Sequence, residues 1–113
     1  MKIINLTKNK ILAEDISLSS SFFKRLKGLL GCRSIAKNQA MILRPANSVH
    51  SFFMRFPIDV LFVDRKNLVV KAVSNMQPFK ATGIYFKSSF VIELYAGILQ
   101  ETQTTEGDYL QIQ

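Results

Sequence analysis

The sequence has no tryptophan, one cysteine, one histidine and only three prolines among its 113 residues. A lone Cys32 excludes an internal disulfide, and one cysteine with one histidine is too few for a structural zinc site, so no metal or cofactor is expected. No apolar run reaches the roughly 18–20 residues that span a bilayer, so no membrane span is expected. The opening MKIINLTKNK interrupts with lysines any apolar stretch of a secretory signal, which points to the cytoplasm. Acids are scarce over most of the chain. Residues 1–90 carry all 15 Lys and Arg against four acids, a balance of +11, whereas residues 91–113 carry four acids and no base, a balance of −4. The net charge of +7 raises nucleic acid as a partner. The bases are scattered, however, with the densest group at Lys24, Arg25 and Lys27, and no basic run or stacking motif accompanies them. A solvated basic surface is the reading preferred over nucleic-acid binding.

What is present suits one globular domain over residues 1–113, with 48% apolar and 20% charged residues. The central stretch is SVHSFFMRFPIDVLFVD (48–64), which holds four of the nine phenylalanines and the only histidine. Alternation in VHSFFM places His50, Phe52 and Met54 on one side and Val49, Ser51 and Phe53 on the other, as in a strand. IDVLFV (58–63) is apolar on both sides except at Asp59, the pattern of an inner strand. These two runs are expected to be the central strands of a small sheet, with a bend at Pro57.

KIINLT (2–7) and ILAEDISL (11–18) read as a hairpin, with Glu14 and Asp15 at an exposed bend. Over residues 20–30, Phe22, Phe23, Leu26, Leu29 and Leu30 cover about 120° of a helical wheel, and Ser19 and Gly31 can cap the ends. AMIL (40–43) and LVVKAV (68–73) are strand-like, the latter joined to 58–63 through a turn at Asp64–Asn67. Residues 74–88 read as a long loop with several aromatics, and loops of this kind often carry function. FVIELY (90–95) is a further strand, ILQETQT a helical turn and DYLQI a closing strand. The expected fold is α+β: a mainly antiparallel, strongly curved sheet or partial barrel with one main helix, about 20–30, packed against it.

FFKRLKGLLG (22–31), SVHSFFMRFPIDVLFVD (48–64) and VIELYAG (91–97) followed by Gly107-Asp108 resemble, in order and spacing, the prokaryotic family called domain of unknown function 192. The resemblance spans nearly the whole chain and implies a compact α+β domain, often in proteins that carry an export signal. It implies no agreed activity, cofactor or catalytic residue. Family members often have cysteine after the proline where this chain has Ala46, so thiol chemistry there is unavailable.

Asp59 needs a partner, because an isolated buried carboxylate costs several kcal/mol. That partner could be Arg25, Arg55 or loop amides; alternatively Asp59 is a general base at a pocket mouth, or is exposed at a bend. Glu93 in VIELY poses the same problem, and an ion pair of Arg25 with Asp59 or Glu93 would tie helix to sheet. His50 is a packed half-core residue or, nine residues from Asp59, a base oriented by it. Arg25, Arg44 and Arg55 could converge on an anion or each pair elsewhere. The leading expectation is a non-enzymatic binding domain for a small anionic molecule or an acidic protein segment. Its pocket would be lined by His50, Phe52, Met54 and the 76–86 loop, with Arg55 supplying charge. The alternative is a metal-independent hydrolase or isomerase using His50 and Asp59. No residue pattern indicates an oligomeric state.

Overall fold

The computed structural model describes residues 1–20, 35–51 and 54–113. Among the described residues the strands are β1 (Ile3–Asn5), β2 (Lys10–Ala13), β3 (Asp15–Ser19), β4 (Gln39–Leu43), β5 (Ile58–Val63), β6 (Val69–Met76), β7 (Phe90–Tyr95) and β8 (Leu110–Ile112), with one short helix, α1 (Ile98–Thr102), before β8. They form two sheets, ordered β2-β1-β8 and β3-β4-β7-β5-β6. All pairings are antiparallel except β3 with β4. The mainly antiparallel pairing is as expected, but the strands fall into two sheets where one curved sheet or partial barrel was anticipated, and among the described residues no barrel closes.

The break between sheets occurs within one apolar run. ILAEDISL is not one strand: β2 pairs with β1 as the expected hairpin, and after the exposed bend at Glu14 the chain enters β3 and joins β4 of the other sheet. A one-residue bend lets consecutive strands serve two layers. Of the main helix expected over 20–30, residues 21–30, with Arg25 among them, lie outside the described residues.

Strand β5 is an inner strand and wholly buried, as its apolar sequence requires. It pairs with β7 on one side and β6 on the other. The turn into β6 is held by Asp64, whose Oδ1 accepts hydrogen bonds from the amides of Lys66 (2.8 Å) and Leu68 (3.0 Å). Asn67 takes the left-handed conformation there, at φ 66°.

Two apolar clusters cover the two faces of the larger sheet. Leu61, Val63, Ile92 and Leu94 face the smaller sheet and α1, packing with Ile3, Leu12, Leu99 and Leu110. Ile58, Val60, Phe62 and Val91 face the other way, with Leu43, Val49, Met54 and Met76. The second face is roofed by two connections, 44–57 between β4 and β5 and 77–89 between β6 and β7. VHSFFM belongs to this roof. Its described residues do not form the central strand expected: His50 makes an isolated bridge to Ala81 outside the named strands. Pro45 and Pro57 bracket this stretch and lack ladder donors.

Candidate functional site

The roof is two connections zipped together. The Ser51 amide donates to Lys80 O (2.8 Å), the Phe79 amide to Ser51 O (2.9 Å), the Thr82 amide to Val49 O (2.9 Å) and the Tyr85 amide to Asn47 O (2.8 Å). Buried Ser51 is the hinge point. Its hydroxyl donates to Gln77 O (2.6 Å) and accepts from the Lys80 amide (3.0 Å). The amide of Met54 also donates to Ser51 O (3.1 Å), so Phe79 and the start of Met54–Phe56 share one carbonyl. Farther along, Ser88 Oγ donates to Ala46 O (3.0 Å). The roof is therefore a built surface held by its own main chain.

Its chemistry is one-sided. Segments 44–57 and 77–89 contain Arg44, Arg55, Lys80 and Lys87 and no Asp or Glu. Arg44 is committed locally, its guanidinium lying 3.9 Å from the centroid of the Phe90 ring. Arg55, Lys80 and Lys87 are exposed. Large apolar groups stand beside them in solvent, namely Phe56, Phe79, Ile84 and Phe86. His50 is half-buried in the same layer, whereas Met54 is buried in the cluster below it. Phe52 lies outside the described residues.

Asp59 is fully buried and makes no ion pair among the described residues; of the partners anticipated for it, loop amides are the ones found. Oδ1 accepts from the Asn75 amide (2.8 Å), and Oδ2 from the amides of Gly97 (3.0 Å) and Leu99 (2.9 Å). The local geometry explains this. Between Ile58 and Val60 the ladder to β6 shifts register, and Asn75, at φ 55°, turns its N–H toward the carboxylate. At α1 the N-cap is Gly97, which has no side chain to bond the first-turn amides, so Asp59 caps the helix from another strand.

No hydrogen bond joins Asp59 to His50, and the two belong to different layers. Glu93 is also fully buried, but it pairs in register with Val60 and Met41 and so sits on the roofed face. Asp59 and Glu93 point to opposite faces of one sheet, and a single arginine side chain cannot serve both.

Open clefts lined by described residues include two near these elements. One, about 430 Å³, is lined by Lys10, Leu12, Lys37, Asn38, Ile98 and Glu101 between β2 and α1. The other, about 370 Å³, lies in the roof and is lined by Pro45, Ala46, Asn47, Ser88 and Ser89. No group of three or more His, Cys, Asp or Glu side chains arranged to hold a metal occurs among the described residues. No helix among them is long and apolar enough to cross a membrane.

Residues 3–112 match the family DUF192, described as "Uncharacterized ACR". The chain belongs to the DUF192 family. Similar proteins include a UPF0127 protein of Thermococcus sibiricus, 29% identical over 94% of this chain and 71% of its own, and one of Pyrococcus horikoshii, 27% identical over 96% of both. Among solved structures, a protein of unknown function from Novosphingobium aromaticivorans is similar at a TM-score of 0.80 and 17% identity, over 99% of this chain and 84% of that one. A putative transcription regulator from Sinorhizobium meliloti is similar at 0.75 and 19%, over 97% and 89%. At these identities the two structures share the fold.

One polar cluster of this DUF192 chain escaped the sequence reading. Asn5 Nδ2 donates to Thr104 Oγ1 and Asp108 Oδ2, both at 2.9 Å, and Lys8 Nζ bonds Gln103 O (2.8 Å) and Asp108 Oδ2 (3.0 Å). The Thr105 amide donates to Asp108 Oδ2 (3.1 Å). Burial alone would raise the Asp108 carboxyl, but the hydrogen bonds from Asn5, Lys8 and the Thr105 amide outweigh it and hold it below the ordinary carboxylate range. Its one sequence signal is Gly107-Asp108, where Gly107 takes φ 90°. Its partners stand about a hundred positions away, beyond the reach of local pattern.

Proposed function

We propose that this protein is a non-enzymatic recognition domain that binds an anionic partner on the roof formed by 44–57 and 77–89. The observation that carries the reading is the pairing of exposed Arg55, Lys80 and Lys87 with exposed apolar side chains on two hydrogen-bonded connections that contain no acid. Such a surface attracts anions at long range and offers desolvated contacts at short range. Arg55 supplies charge, His50 lies within the layer, and Met54 acts from beneath as packing. The small anion and the acidic protein segment anticipated from the sequence both fit this chemistry. The reading does not extend to a His50–Asp59 pair, because both Asp59 oxygens are engaged by main-chain amides.

The test compares the wild-type chain with an Arg55→Ala/Lys80→Ala/Lys87→Ala variant against three probes: inorganic phosphate, a glutamate-rich peptide containing phenylalanine, and anionic vesicles. At least one probe should bind the wild type with affinity that falls steeply with salt, and the triple variant should lose about tenfold or more. Equal affinity of the two proteins for every probe that binds, or no binding at all, rejects the reading.

A further inference from the structure

Four large apolar side chains rise from the roof: Phe86 is 85% exposed, Phe79 72%, and Phe56 and Ile84 57% each. Their outward direction is set by the fold. Tyr85 turns in against Phe62, ring centroids 4.6 Å apart, and Phe86 and Lys87 are the central residues of the turn that follows, closed by the Ser88 amide on Tyr85 O (2.8 Å). Phe79 holds φ 62°, a left-handed conformation that a bulky side chain disfavours, and the Phe79 and Lys80 amides fasten it to Ser51. Each exposed phenylalanine also has a cation as its chain neighbour, in Arg55-Phe56, Phe79-Lys80 and Phe86-Lys87.

We propose that the roof docks on the surface of an anionic lipid bilayer. Phe56, Phe79, Ile84 and Phe86 enter the boundary between headgroups and acyl chains, and Arg55, Lys80 and Lys87 pair with lipid phosphates and carboxylates. The inference rests on the reading of the roof as an anion-binding surface and names the partner. With Phe86 85% and Phe79 72% exposed, these rings protrude into solvent and do not enclose a small ligand, so their apolar area is best covered by an extended apolar surface. A bilayer interface accepts apolar groups and cations side by side from a protruding surface. The absence of any acid from 44–57 and 77–89 removes the repulsion that would oppose approach to a negative surface.

Co-sedimentation of the full chain with vesicles of phosphatidylcholine plus phosphatidylserine, against phosphatidylcholine alone, tests this. Binding is expected to the anionic vesicles only, falling with salt and dropping about fivefold for each of Arg55→Ala, Lys80→Ala and Lys87→Ala. Phe86→Ser should lower it further. Phe79→Gly is the sharper variant: glycine suits the left-handed backbone, so the melting temperature should hold or rise while vesicle binding falls. Vesicle binding indifferent to Phe79→Gly and Phe86→Ser would overturn the proposal. So would binding of the acidic peptide or of inorganic phosphate without vesicle association, which would leave the anion-binding role standing. Failure of all three probes would remove both.

Discussion

Asp59 and Asp108 are both buried, and they are held differently. Asp59 accepts from three main-chain amides, drawn from the β6 bulge and the start of α1. Asp108 meets the side chains of Asn5 and Lys8 and one amide, of Thr105. A carboxylate held by backbone fixes the path of the chain, and no second substitution can supply its missing partner. A carboxylate held by side chains joins two segments and can be re-paired.

The largest expected effect is at Asp59. Asp59→Asn places an NH₂ group against main-chain donors and leaves buried N–H groups without acceptors, which should cost about 3–5 kcal/mol. Chemical denaturation measures it, and a loss under about 1 kcal/mol would contradict the backbone-clamp account.

Asp108→Asn should cost less, about 1–3 kcal/mol. The swap Asn5→Asp/Asp108→Asn should recover part of the loss, because donor and acceptor exchange places while Lys8 keeps a carboxylate nearby. A double mutant no more stable than Asp108→Asn would erase the contrast between the two aspartates.

The Asp108 carboxyl also links stability to pH. Its folded pKa is depressed, so the unfolded chain binds its proton first as pH falls. Its contribution is complete above the unfolded value of about 4 and fades as pH drops through the folded one. Wild type should therefore lose stability more steeply than Asp108→Asn below about pH 4. Parallel pH curves for the two proteins would show that Asp108 is not depressed. The smallest effect is expected at Lys37→Ala, which removes a 3.7 Å contact between exposed Lys37 and Glu101 and should change stability by less than about 0.5 kcal/mol.

Much of the strand pattern was legible in the residues. The β1–β2 hairpin, the inner strand at 58–63, the Asp64–Asn67 turn and the helical turn after Gly97 follow local rules of alternation, turn chemistry and capping. VHSFFM shows where those rules stop. Its alternation holds over Val49, His50 and Ser51 but not at Met54, which is buried in the same cluster as Val49, and the partner of His50 is a strip of loop and not a strand.

The amino-acid sequence by itself determined that 58–63 is an inner strand and that Asp59, if buried there, must be satisfied, because an apolar run of that length belongs inside a sheet. It also set the acid-free, basic composition of 44–57 and 77–89. Only the tertiary structure decided that the amides of Asn75, Gly97 and Leu99 receive Asp59, that Glu93 faces the opposite way, and that Phe56, Phe79 and Phe86 emerge from the two connections of the roof. Each of these depends on register and on contacts between residues far apart in the chain, and hydrophobic periodicity, being local, carries no information about which distant segment supplies the partner.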